Sequence, residues 1–277
     1  MKKFIVLFSM LFVGTLYGQS LVTSGDINKS MVSDYKQFFT KENCNQVLID
    51  TFSICYDWKK KSATAVYVEV TGENVVKDID KRPPFFTDKR VKKQYRTTSK
   101  DYTKSGYDRG HFGASDASHD WNKRHQKATY SMANIVPQTP RANRYKIIAL
   151  EKHEREMAVK HGRLENVTLA YWNAKPKTIG KSKLQVPSAF AKIFTGKNYR
   201  ECFFIWNTEK YDEGNGQDPN KYKVPCDDVF KMWCTEVGEV DAWSVADSKE
   251  LKRLLKKLAD SAGDNSGHIK HMLMMVP

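Results

Sequence analysis

Apolar and polar positions alternate most cleanly over residues 63–71, where Val66, Val68 and Val70 fall on one face and Ala65, Tyr67 and Glu69 on the other. That period of two predicts a β-strand. Residues 46–56 predict another strand before it, and 129–138 a short one that Pro137 stops. Strand patterning returns over 167–173, 184–195 and 201–208. Helical signals are fewer. Pro140 precedes a helix expected over residues 141–160, and 248–261 carries Leu251, Leu254, Leu255 and Leu258 on one face, with Lys249, Lys252, Arg253, Lys256 and Lys257 beside or opposite, as a solvated helix does. Trp206, Tyr211, Trp233 and Trp243 are expected in packing rather than in stacking on bases. Residues 213–219 form a turn-rich surface loop, and no linker, repeat or low-complexity tract divides the chain.

The residues with chemistry cluster between Tyr107 and Arg155. Asp108-Arg109-Gly110-His111 comes first, then Asn134-Ile135-Val136-Pro137-Gln138, then Asn143, Ile147, Glu151 and Arg155 at steps of four. On a regular α-helix such steps keep one face, drifting about 40° each, and place Asn143 and Glu151 about 12 Å apart along the axis. Both cannot then be direct ligands of one ion. Phosphodiester hydrolysis needs an activated water, neutralisation of charge on the phosphoryl oxygens and help for the leaving oxygen. His111, neutral, suits the base. A hard ion such as Mg²⁺ is often held by one or two protein oxygens with water and substrate, and Asn143 suits the direct ligand. Glu151 is then expected to orient ion-bound water, with Arg155 as its i+4 partner. An unperturbed imidazole titrates near 6.5, so activity is expected to fall as pH drops through that value. Gly110, without a Cβ, is expected to let Arg109 and His111 sit on a tight backbone. Residues 116–127 are polar, and His119 and His125 read as solvated loop histidines. His153-Glu154-Arg155-Glu156-Met157 is no zinc-protease motif, because Met157 stands where the second histidine is required.

The ordered motifs Asp-Arg-Gly-His, Asn-Ile-x-Pro-Gln and Asn-x7-Glu-x3-Arg resemble the DNA/RNA non-specific endonuclease family, the ββα-metal (His-Me finger), Serratia nuclease-like enzymes. The match is dense over residues 82–155 and looser to about 193, where Val186 to Lys192 looks like a later family strand. The resemblance implies an α+β fold, an antiparallel sheet with the metal-site helix packed on it. It also implies Mg²⁺ (with Mn²⁺ as a substitute), DNA and RNA substrates and 5′-phosphate products. Homodimers occur in the family. It further implies that Arg82 reaches the scissile phosphate, that Arg109 adds charge there, and that Asp108 and Asn134 position the loop and His111. Ile147 departs from the family's usual Trp, which removes no catalytic group. A nucleic-acid-binding protein with an inactive fold is the rival reading, and intact His111, Asn143 and Glu151 argue against it. A basic surface protein without nucleic acid is a third, opposed by the motif order.

Composition adds location and partners. Lys2 and Lys3 precede an apolar run from Phe4 to Leu16, too short to span a bilayer, which predicts a signal peptide over residues 1–18 and a single domain over 19–277. The expected location is periplasmic or secreted, with no membrane partner after cleavage. Removing Lys2 and Lys3 takes the basic residues from 46 to 44, a formal +12 against 32 acidic residues, which suits a polyanionic partner. Five cysteines in an oxidising compartment allow two disulfides. Cys44–Cys55 and Cys226–Cys234 are the expected local pairs, with Cys202 left buried, although spacing does not fix connectivity. Lack of Cys-x2-Cys argues against zinc.

Overall fold

A computed structural model describes residues 35, 37–40, 43–79, 81–173, 175–209 and 216–238. The expected signal peptide, Tyr211, Trp243, the 248–261 helix and residues 213–215 of the 213–219 loop lie outside the described residues. The chain builds a seven-stranded antiparallel sheet from β1 (Gln46–Ile49), β2 (Ser53–Asp57), β3 (Ser62–Thr71), β6 (Arg163–Tyr171), β9 (Ala189–Gly196), β10 (Tyr199–Trp206) and β11 (Lys223–Val224), hydrogen-bonded in that order. β4 (Asp108–His111) pairs with β5 (Ile135–Gln138), and β7 (Thr178–Ile179) with β8 (Leu184–Gln185), as separate antiparallel ribbons. Among the described residues the α-helices are α1 (Lys123–Thr129), α2 (Ile148–His161) and α3 (Cys226–Gly238).

Both faces of the large sheet are covered. Val66, Val68 and Val70 pack with Leu164, Phe190, Phe194 and Phe203 beneath the ribbon β4–β5 and α2, while Ala65 and Tyr67 pack with Val167, Leu169 and Phe204 beneath Tyr35, Phe38, Phe39 and α3. The alternation over β3 is therefore the one read from sequence. Trp206 and Trp233 are buried in the second layer, as expected. The α+β class holds, with a ribbon and helix laid on one face of an antiparallel sheet.

Several elements differ from expectation for local reasons. Residues 46–56 are a hairpin rather than one strand: β1 and β2 pair Gln46 with Tyr56, and the Asp50 N–H donates to the Phe52 carbonyl at 3.1 Å across the turn. Residues 129–138 end in a strand only from Ile135, because Met132–Asn134 closes a 3-10 turn first. The 184–195 stretch breaks at Val186, Pro187 and Ser188, with the Ser188 N–H donating to the Tyr171 carbonyl at 2.7 Å. Cys44 and Cys55 pair as expected, with Cα atoms 5.1 Å apart. Cys202 is not left over: it pairs with Cys226, also at 5.1 Å. The β10–β11 register sets Cys202 opposite Val224, two residues from Cys226. Cys226 and Cys234 sit eight residues apart on α3, about 12 Å along its axis, beyond the span of a disulfide.

Candidate active site

The ribbon β4–β5 carries the first motif. Its register pairs Asp108 with Gln138, Arg109 with Pro137, Gly110 with Val136 and His111 with Ile135. Alternation sends Arg109 and His111 to one face and Asp108 and Gly110 to the other. Gly110 is required by close approach rather than by an unusual torsion, since a Cβ there would overlap the Gln138 side-chain amide. That amide donates through Nε2 to the His111 carbonyl at 3.0 Å, so the missing methyl lets Gln138 brace His111. Asn134, fully buried, holds the segment after His111. Its carbonyl accepts from the Phe112 N–H at 2.8 Å, and its Nδ2 donates to the Ala114 and Thr129 carbonyls at 2.8 and 3.0 Å.

His111 is packed among Phe85, at 6.0 Å between ring centroids, and Tyr130, perpendicular at 5.0 Å. Its Nε2 is buried with no hydrogen-bond partner. Burial first, then the positive charges of Arg82, His119 and Lys192, push its pKa down from 6.5 to about 3. The imidazole is thus neutral across the ordinary pH range, where an unperturbed pKa near 6.5 was expected. His119 is also not a solvated loop residue. It is buried, its Nδ1 bonded to the Ser115 carbonyl at 2.9 Å, and burial lowers its pKa to about 4. His125, in the first turn of α1, packs at a tilt against Trp121, with ring centroids 4.3 Å apart.

Arg82 reaches Asp116 through Nε at 3.0 Å and is otherwise exposed, while the guanidinium of exposed Arg109 lies 4.9 Å over the Phe85 ring. Both cations therefore border His111.

The second half of the site departs from a regular helix. Ala142–Ile147 winds as a π-helix before α2 begins at Ile148. Such segments are uncommon and frequent at functional sites, and the four-residue stepping expected from Asn143 does not hold through it. The start is fastened by the Thr139 hydroxyl, which accepts from the Ala142 N–H at 3.2 Å. Asn143 donates through Nδ2 to Asp108 at 3.0 Å, and Arg144 grips both oxygens of the same carboxylate at 2.8 and 2.9 Å. The Arg144 guanidinium, helped by the Asn143 amide and opposed by burial, holds the Asp108 carboxyl below its usual range. Asp108 therefore positions Asn143 rather than His111. An ionised carboxylate only accepts hydrogen bonds, so the atom of Asn143 facing Asp108 must be the amino group, and the amide oxygen is the atom turned from that carboxylate. One neutral oxygen with water fits a hard divalent cation. Among the described residues no group of three or more His, Cys, Asp and Glu side chains could hold a metal ion.

Glu151, one turn into α2, has its carboxyl pushed up to about 7 by burial, against Lys192, with Glu154 raising, Arg155 lowering and Asp116 raising it. Arg155 does not grip that carboxylate as expected: its Nη1 donates to the Glu151 backbone carbonyl at 3.0 Å. Asp116, Tyr130, Glu154 and Lys192 were not singled out from sequence. Lys192 alone left a signal, a charge between Phe190 and Phe194 on the apolar face of a strand.

The model of a family described as DNA/RNA non-specific endonuclease matches residues 32–237. Human "Endonuclease G, mitochondrial" is 30% identical over 157 residues, covering 52% of this chain and 52% of that protein. The Caenorhabditis elegans protein of the same name is 27% identical over 226 residues, covering 74% and 71%. The chain spans about half the length of the human and bovine relatives it matches. A solved structure, "Crystal structure of the EndoG/EndoGI complex: Mechanism of EndoG inhibition", superposes with a TM-score of 0.62 at 23% identity, covering 73% of this chain and 90% of that one, and so shares the fold.

Proposed function

The chain belongs to the DNA/RNA non-specific endonuclease family, and on that premise we propose that it hydrolyses phosphodiester bonds of DNA and RNA with His111 as general base, one divalent cation such as Mg²⁺ held at Asn143, and 5′-phosphate products. The observation that carries this reading is a neutral, enclosed His111 bordered by Arg82 and Arg109, on the same ribbon whose Asp108 fixes the Asn143 amide.

Each residue has a task that its surroundings suit. His111, kept unprotonated, takes a proton from the attacking water on a ring nitrogen, and Gln138 and Asn134 keep the ring aimed. Arg109 and Arg82 meet the phosphate with positive charge. The Glu151 carboxylate, available above about pH 7, orients water in the site. The cation, when bound at the Asn143 oxygen, supplies neutralisation of charge on the phosphoryl and leaving oxygens. Contacts of this kind go to phosphate and carry no base information, so sequence preference is weak and affinity falls steeply with salt.

We also propose export. The apolar leader over residues 1–18 and two disulfides fit an oxidising compartment outside the cytoplasm. Chain recovered there with Gln19 first is the expected outcome, and chain retained inside the cell with Met1 in place refutes it.

The test of function is digestion of plasmid DNA and of RNA by the purified chain, with Mg²⁺ and with EDTA, beside His111→Ala. Metal-dependent degradation of both that is lost in the variant is expected. Salt-sensitive DNA binding with no cleavage under Mg²⁺ or Mn²⁺ refutes the enzyme reading.

A further inference from the structure

Lys192 sits where the strand pattern demands an apolar side chain. On β9 it shares the site-facing surface with Phe190 and Phe194, and it is 2% exposed. A buried ammonium is costly unless it is paired and hydrogen-bonded. Its Nζ donates to the Phe112 carbonyl at 3.4 Å and to the Thr168 hydroxyl at 3.2 Å. Phe112 directly follows His111.

A buried carboxyl group descends from the helix above. Glu154 of α2 is completely buried. It accepts from Ser118 Oγ at 2.8 Å and from Asn166 Nδ2, and Asn166 also reaches the Gly113 carbonyl at 3.4 Å. The backbone after His111 is thereby tied to the sheet by a closed set of buried polar groups, with the Gly113 Cα seated directly on Val66. Glu151 lies one helical turn before Glu154, on the side turned towards the same cluster.

We propose that Lys192 is a positioning residue for the reaction: it pins the strand end that carries His111 and places one buried positive charge behind the Glu151 carboxyl. The groups facing that carboxyl are Lys192 from β9, Glu154 and Arg155 from its own helix, and Asp116 from the turn after β4. Lys192 is the largest of the influences that favour its ionised form, while burial and the two acids oppose it. Without Lys192 the balance tips towards a protonated, water-blind Glu151 at neutral pH. The role assigned to Glu151 rests on the nuclease reading, but the charge relation does not.

The test reads the two separately. In metal-free full-length chain, carboxyl ¹³C NMR follows the Glu151 signal, assigned by its loss in Glu151→Gln. Lys192→Met is expected to raise the midpoint by about one unit or more, the size of effect a neighbouring opposite charge produces, and Lys192→Arg to keep it near the wild-type value. Should Lys192→Met fail to fold, Lys192→Gln keeps a donor for Phe112 and Thr168 without the charge, and the same rise is expected. A midpoint unmoved in the folded neutral variant overturns the proposal and leaves Lys192 a packing residue. Plasmid cleavage by the wild-type chain judges the nuclease reading independently.

Discussion

Asp108→Ala separates two roles for the first residue of the motif. The substitution removes the acceptor of three hydrogen bonds, one from Asn143 and two from Arg144. The Arg144 side chain is 61% exposed, so solvent screens its pair and the pair adds little. The bond from the Asn143 amide to a charged acceptor is worth roughly 1.5 to 3 kcal/mol, or about 10- to 100-fold in the equilibrium that needs Asn143 presented. Initial rates of plasmid cleavage across a Mg²⁺ titration are the assay. The half-saturating Mg²⁺ concentration is expected to rise about 10- to 100-fold, the usual cost of losing a group that orients a metal ligand, with most of the rate regained at saturation. Arg144→Ala should shift it far less. A variant whose rate is depressed at every Mg²⁺ concentration with an unmoved midpoint refutes the reasoning, and would return Asp108 to the support of His111.

Other outcomes follow from the same geometry. The acidic limb of activity is expected near pH 7, from the raised Glu151 carboxyl, and not near 6.5 from His111, whose imidazole charges only towards pH 3; histidine NMR showing His111 titrating above 5 counts against this. Because the folded state raises the Glu151 pKa from 4.5 to about 7, the fold holds its proton where the unfolded chain releases it, so this contribution is full below 4.5 and lost as pH rises to 7. Glu151→Gln should therefore raise Tm at pH 8 relative to wild type and do little at pH 4, by scanning fluorimetry; the reverse pattern refutes the sign. Gly110→Ala must displace Gln138 and break its bond to the His111 carbonyl, with an expected loss of about 1 to 3 kcal/mol in denaturant unfolding and a fall in kcat; wild-type values in both would show the contact to be slack. Cys226→Ala should lower stability by about 3 kcal/mol, the chain-entropy cost for a loop of this size, and non-reducing peptide maps should join Cys202 to Cys226; a Cys226–Cys234 peptide would overturn the pairing.

What the sequence by itself determined is local. A period of two over residues 63–71 assigned both faces of β3, and three ordered motifs located the ribbon, Asn134 and the helix that carries Asn143 and Glu151. These features depend on neighbours a few positions away, which is the range over which backbone periodicity and turn chemistry act. Tertiary structure decided whatever depends on groups remote in sequence. The charge state of His111 reflects burial plus cations at positions 82, 119 and 192. Asp108 found its partner on the π segment, 35 residues away, and Cys202 found Cys226 because β10 and β11 pair. Lys192, which reads as a misplaced charge in an apolar strand, is tolerated only because Phe112, Thr168 and the acids of α2 converge on it. Desolvation and Coulomb interactions depend on everything packed around a group, and no window of sequence contains that shell.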